Sequence, residues 1–279
     1  MKKILLLIAM MGLIMGAISC NDEPSRGRGD GVFTVNTPMI NHMFNTVTGT
    51  VMGISNTHNL LTLDTVSHTA SLDLRYNDGS EKTLSIKNIT AKAKRLGFYE
   101  LSSSENSKFK GYVDINEGSM RYIYTTDDGI RVISTTSEVF FHKTKNTISY
   151  DDTTETTVME STMYQFVLTP ASNSVLIKVL DIEHAKDLKH FINITGNGAS
   201  FSPTANGFTI QGENIPTSAR YYSMIDSLGS KEAVTDKYPF KTFSANVDLL
   251  NDTLNATFMM GASATVVATG RTYPDYTTY

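Results

Sequence analysis

Hydrophobic and polar residues alternate with a period of two along most of this chain, which is the pattern of half-buried β-strands. Residues 71–76 and 84–89 both alternate in this way. Residues 77–79, Asn-Asp-Gly, lie between them and supply the turn. The pattern therefore predicts a hairpin over 70–89.

The same alternation continues further along the chain. Residues 112–115 and 120–124 predict a second hairpin around the turn 116–118, and residues 130–134 predict a third strand after it. Thr, Val, Ile, Tyr and Phe dominate these segments, as they do in strands generally. An all-β fold class follows from this pattern.

Helical periodicity occurs in one short segment, 182–191. The residues that would share one face of this helix are Ile182, Ala185, Leu188 and Phe191. Residues 220–230 are interpreted as a further helix or a loop.

The second half of the sequence resembles the first half. Residues 113–115 (Val-Asp-Ile) and 247–249 (Val-Asp-Leu) match, and at the same offset Tyr124 falls on Phe258. The tripeptide Asn-Ile-Thr also occurs in both halves, and a shared ungapped pattern of this kind predicts a duplication. We expect a first β domain over 37–145 and a second over 146–279, divided within the polar stretch 143–152.

The N-terminus has the features of an export signal. Two lysines precede the apolar stretch 4–17, and small residues lead to Cys20, so residues 1–19 are predicted to be a secretory signal. The segment resembles a bacterial lipoprotein signal, which implies that the Cys20 thiol carries a diacylglyceryl group and that the mature chain bears palmitate-type acyl chains. The alternative is an uncleaved N-terminal anchor.

Residues 20–36 follow as a tether rich in Gly, Arg and Ser, typical of a flexible spacer. The acidic pair Asp22-Glu23 resembles a surface-export signal of lipoproteins. The predicted localisation is therefore lipid-anchored in the outer membrane and exposed at the surface, with the periplasmic face as the alternative.

The net charge and the cysteine content limit which ligands and which disulfides are expected for this chain. The formal net charge is −4, with no basic run, which argues against nucleic-acid binding. Cys20 is the only cysteine, so no internal disulfide is predicted and the domains must fold on their hydrophobic cores.

No catalytic or metal-binding constellation emerges. His184 and His190 would point to different faces of a helix, and His58 and His68, which flank a turn, lack a cluster of further ligands. Paired aspartates at 127–128 and 151–152 adjoin turn residues. We therefore predict no enzyme activity, no metal and no cofactor.

Four short runs resemble an acceptor motif for O-glycosylation of exported proteins, in which Asp is followed by Ser or Thr and then by an apolar residue. The residues that this resemblance implicates are Thr65, Thr153, Ser227 and Thr253.

The pattern of strands and glycines resembles the calycin-like β-barrel lipoproteins. The segments that carry the resemblance are 84–98, 193–212, 243–249, 254–259 and 264–269. It implies two tandem antiparallel calycin-like or lipocalin-like barrels or sandwiches, and it supplies no catalytic residues. The chain has no tryptophan, so it lacks the Gly-x-Trp mark of true lipocalins.

These features predict a non-enzymatic lipoprotein that binds or displays a ligand at the cell surface. A small apolar molecule, a glycan and a protein all remain candidate ligands. A structural or adhesive subunit that joins partners through its terminal segment 271–279 or through the tether region is the alternative, and a hydrolase with carboxylates from distant loops is a further one.

Overall fold

The structure, a computed structural model, describes residues 31–76, 83–105, 109–116, 118–151, 156–183, 191–222, 238–261 and 264–271. The signal, Cys20 and most of the tether therefore lie outside the described residues. Within those ranges no helix is both long and apolar enough to cross a membrane.

Almost the whole described chain forms β-strands, with one short 3₁₀ turn at Pro170–Ser172. The strands are β1 (Val32–Asn45), β2 (Thr50–Asp64), β3 (Thr69–Tyr76), β4 (Thr83–Arg95), β5 (Phe98–Ser103), β6 (Lys110–Asp114), β7 (Ser119–Thr125), β8 (Ile130–Thr136), β9 (Glu138–Tyr150), β10 (Thr156–Thr169), β11 (Ser174–Glu183), β12 (Phe191–Pro203), β13 (Gly207–Ile215), β14 (Thr217–Tyr222), β15 (Phe240–Asp248), β16 (Thr253–Met260) and β17 (Ala264–Arg271).

The first eight strands form a closed antiparallel barrel in chain order, and β8 pairs with β1 to complete it. Alternate residues fill its interior, including Leu61, Tyr122 and Tyr124, each at most 1% exposed. Buried polar groups pair inside the barrel, because an unpaired buried amide would be costly. Asn59 Nδ2 accordingly donates a hydrogen bond to the Tyr122 hydroxyl.

The second barrel repeats this arrangement with β9, β10, β11, β12, β13, β15, β16 and β17. Strand β17 pairs with β9, β11 pairs with β12, and β14 attaches to β12 as a branch. Aromatic rings fill the interior. Tyr164 lies among them and its hydroxyl donates to Asn146 Oδ1 at 2.6 Å. Burial raises the pKa of Tyr164, so this hydroxyl remains a donor.

Equivalent turns in the two barrels agree in backbone detail. The turn from β6 to β7 places Gly118 at φ 62°, and the turn from β15 to β16 places Asp252 at φ 59°. In the first turn the Ile115 amide donates to Gly97 O, and in the second the Leu249 amide donates to Asn206 O. The all-β fold of two tandem antiparallel barrels is thus confirmed, as are the strand pairings of the hairpins over 70–89 and 112–124. The predicted turn 77–79 lies outside the described residues.

The predicted helix over 182–191 is wrong where the structure describes it. Ile182 lies in β11 and Phe191 opens β12, and the two strands pair with each other. Ile182 and Phe191 therefore belong to two paired strands and not to one helix face, whereas Ala185 and Leu188 lie outside the described residues. Residues 184–190, with His184 and His190, lie outside the described residues. Of 220–230, residues 220–222 belong to β14 and the rest lie outside them too.

The passage between barrels occurs at Ser137, whereas the sequence placed the division within 143–152. Strand β9 runs through 143–150 because it closes the second barrel against β17. Polar residues there misled the prediction, since several of them face the barrel interior. Asn146 and Thr144 are both fully buried and hydrogen-bonded to each other.

The side wall of the first barrel closes one end of the second. Ile40 on β1 and Ile133 on β8 face outward from the first barrel, are 0% exposed and belong to the hydrophobic core of the second. Backbone hydrogen bonds from the Leu168 amide to Ser137 O and from the Ser137 amide to Pro38 O fix the connection. The two barrels therefore share a continuous apolar interface.

Candidate functional site

A cleft of about 420 Å³ lies where the two barrels meet. One side is the outer wall of the first barrel, formed by β5, β6 and β7. The other side is the turn from β15 to β16 of the second barrel, which contributes Leu250 and Asp252. Because both barrels contribute, the cleft exists only in the assembled chain.

Two aromatic rings form the apolar floor of the cleft. Phe98 and Tyr112 pack with ring centroids 5.5 Å apart and an interplanar angle of 25°. They face outward because β5 and β6 place the alternate residues, Leu101 and Val113, in the barrel core. Gly111 lets β6 lie close to β7, since a Cβ there would be 2.5 Å from Arg121 O.

Charged side chains surround this floor. The Arg121 guanidinium, which is largely buried, forms an ion pair with Asp252 across the two barrels. Lys94 Nζ lies 2.6 Å from Glu100 Oε2 at the rim. Lys110, also at the rim, is exposed and has no acidic partner among the described residues, so the cleft carries one unmatched cation.

A second polar contact joins the barrels elsewhere on the same interface. Arg131 donates to Ala205 O at 2.6 Å and to Asn206 Oδ1 at 3.0 Å. Buried His42 donates through Nε2 to Thr204 O at 2.6 Å. Both residues lie on the outer face of the first barrel and bind the same turn of the second.

Burial lowers the pKa of His42 below its ordinary value of 6.5, the hydrogen bond to Thr204 O opposes this, and the Arg131 charge lowers it further. The unfolded chain therefore binds more protons than the folded chain as pH falls below about 6.5. We expect the contribution of His42 to the free energy of unfolding to be constant above that pH and to decrease below it. Urea unfolding on both sides of pH 6.5 measures this.

The matched variant for that measurement is His42→Gln, whose amide keeps a donor for Thr204 O and has no pKa in this range. The part of the pH dependence that belongs to His42 should be missing in this variant. An identical loss of stability in the wild type and in His42→Gln would contradict the assignment.

The predicted modification sites are separated in the structure. The Thr65 side chain is buried, and its hydroxyl bonds to the Gly31 backbone, donating to the carbonyl oxygen and accepting from the amide. Thr253 opens β16 and is half-buried. Cys20, Thr153 and Ser227 lie outside the described residues. Glycosylation at the four positions stays a prediction.

Other residues singled out in the sequence have structural roles. His58 pairs with Arg75 on the neighbouring strand, while His68 lies in the turn after β2, so the two do not meet. Asp127 and Asp128 form the turn before β8. Within the described ranges no group of three or more His, Cys, Asp or Glu side chains could hold a metal.

Comparison with known proteins finds similarity among solved structures. No family model matches the chain, and no curated protein matches it. The crystal structure of isotype 1 transferrin binding protein B from serogroup B Neisseria meningitidis is similar over 87% of this chain and 77% of that one, with 8% identity and a TM-score of 0.23. Agreement at this level carries no conclusion about function, and the resemblance to calycin-like lipoproteins stays a prediction.

Sequence reasoning did not find the cleft. Tyr112 and Arg121 were visible only as members of a predicted hairpin, and Asp252 as part of a glycosylation motif. The sequence did contain one signal for the cleft. Arg121 lies between the apolar residues Met120 and Tyr122, so its side chain must face the opposite side of the strand from theirs.

Proposed function

We propose that this chain is a non-enzymatic binding protein of the cell surface that holds its ligand in the cleft between the barrels. The observation that carries the proposal is the cleft itself, in which an aromatic floor, an unmatched cation and contributions from both barrels converge. In this proposal a lipid on Cys20 attaches the protein to the outer membrane, and nucleic acid is not a partner.

The filled barrels favour the cleft over the barrel interiors as the binding site. Lipocalin-type carriage of a small apolar molecule needs an open barrel. Here the described interior positions carry large side chains, with Met39, Leu61 and Tyr122 in the first barrel and Phe243 and Phe258 in the second, all at most 2% exposed.

Ion pairing within the cleft argues for binding rather than catalysis. A general acid or base must exchange protons with a substrate. Glu100 and Asp252 instead each lie against a cation, Lys94 and Arg121 respectively. This arrangement supports a non-enzymatic function, because both carboxylates of the cleft lining already have a cationic partner.

The chemistry of the cleft selects an organic anion with a flat apolar part. The Phe98–Tyr112 pair offers a surface for an aromatic or otherwise planar group. Lys110 offers a positive charge for a carboxylate. The adhesive alternative depends on the terminal segment 271–279 or the tether 20–36, of which residues 20–30 and 272–279 lie outside the described residues.

Binding of naphthoate, a flat fluorescent carboxylate, tests the proposal. We expect the wild-type chain to bind it. Lys110→Glu, which removes a charge-assisted contact, and Tyr112→Ala, which removes one ring of the apolar floor, should each weaken binding by about tenfold. Fluorescence titration measures this. Native mass spectra of protein released from its own cells should also show an added mass that denaturation removes.

The matched control is Lys87→Glu, an exposed lysine on β4 that makes the same charge change away from the cleft. This variant should bind naphthoate like the wild type. The proposal fails when naphthoate does not bind, or when the cleft variants bind it as strongly as Lys87→Glu does.

A further inference from the structure

A second groove, of about 230 Å³, crosses the outer wall of the second barrel on β13, β15, β16 and β17. The strand register aligns exposed side chains into two rows across these strands. The first row is Thr209, Asn246, Asn255 and Thr269. The second row is Gln211, Ser244, Thr257 and Val267.

Alanines lie between the two rows. Ala245, Ala256 and Ala268 are register partners of one another, face the barrel interior and are at most 4% exposed. The groove floor over them is therefore backbone, and the side chains of the two rows form its walls. The groove runs across the strands, so its wall residues repeat at the strand spacing of about 4.8 Å.

The walls are uncharged and rich in hydrogen-bonding groups. Seven of the eight wall residues carry a hydroxyl or an amide, and the eighth is Val267. Gln211, Asn246 and Asn255 make no side-chain hydrogen bond with the part of the chain that the structure describes. Each of these amides offers both donors and an acceptor to a ligand. Lys145 follows Thr269 in the first row but does not line the groove.

These properties disfavour other classes of ligand. A peptide that adds a strand needs an unpaired sheet edge, but β13 and β17 are each paired on both sides. A polyanion needs cations in the groove, and its described lining contains none. An apolar partner would find only Val267. A neutral chain of hydroxyl-rich units matches the walls in charge and in hydrogen bonding.

We propose that this groove binds a neutral, extended oligosaccharide. Its hydroxyls bond to Asn246 and Asn255 on one wall and to Gln211 and Ser244 on the other. The proposal is independent of the cleft between the barrels, because the two sites share no lining residue.

A glycan array of neutral oligosaccharides, with hexagalacturonate as the anionic comparison, tests the proposal on the full chain. We expect neutral members to bind. By titration calorimetry, the double variant Asn246→Ala/Asn255→Ala should bind the best of them at least tenfold more weakly, about the effect of losing two hydrogen bonds. The matched control Asn197→Ala removes an exposed amide on β12 outside the groove and should bind normally.

A second variant, Asn246→Asp/Asn255→Asp, keeps the shape of the groove and replaces both amide donors with carboxylates that only accept hydrogen bonds, so it tests the role of these donors even where the alanine variant fails to fold. It should also lose binding. Lys110→Glu should leave binding intact, which separates this site from the cleft. The proposal is overturned when no neutral oligosaccharide binds, when both groove variants bind normally, or when hexagalacturonate binds equally well.

Discussion

Phe258→Ala should destabilise the protein by about 3–5 kcal/mol, the range for removing a fully buried phenylalanine. The ring is 0% exposed and lies at the centre of the second barrel. Its centroid is 5.3 Å from those of Phe240 and Phe243 and 6.2 Å from that of Tyr164. Truncation leaves a cavity among rigid rings that cannot collapse to fill it. Urea unfolding followed by circular dichroism measures the loss.

The matched control is Val267→Ala, because Val267 lies on the adjacent strand but is 47% exposed on the outer face. An exposed truncation of this kind costs at most about 0.5 kcal/mol. The packing described for Phe258 would be contradicted if the two variants lost similar stability.

The strands could be predicted from the sequence because polar and apolar residues alternate regularly along them. In β3, for example, buried Ala70 and Leu72 alternate with exposed Thr69 and Ser71, so polar and apolar positions differ sharply there. The helix prediction over 182–191 failed at both described ends, because Ile182 and Phe191 belong to two strands that pair with each other. Local periodicity cannot distinguish these cases when the segment is short.

The division of the chain and the cleft depend on contacts between distant residues. Asn146 and Thr144 read as surface residues, yet they hydrogen-bond to each other inside a barrel whose closure joins β9 to β17. Arg121 meets Asp252 only because the barrels pack side to end. The packing of one barrel on the other leaves no pattern in any short stretch of the sequence. The alternation of polar and apolar residues along a single strand, in contrast, lies within one short stretch.

Ile133→Asp should separate the barrels while each stays folded. The side chain faces away from the interior of the first barrel and is fully buried against the second. A carboxylate placed there has no partner, and an uncompensated buried charge costs about 3–5 kcal/mol. Opening the interface returns the charge to water and leaves the neighbouring inward residues, Val132 and Ser134, in place. We therefore expect the two barrels to separate before either of them unfolds.

Hydrogen exchange and small-angle scattering distinguish separation from unfolding. In Ile133→Asp the Leu168 and Ser137 amides, which bond across the connection, should exchange faster than in the wild type, and the radius of gyration should rise. Ile133→Val is the matched control, because it removes one methyl group without adding charge and costs about 0.5–1.5 kcal/mol. Unchanged exchange of those two amides, or loss of protection throughout the first barrel, would show that the barrels do not separate before they unfold.

Separation of the barrels would also abolish naphthoate binding in the cleft and leave binding in the groove on the second barrel intact, because only the cleft needs both barrels in contact.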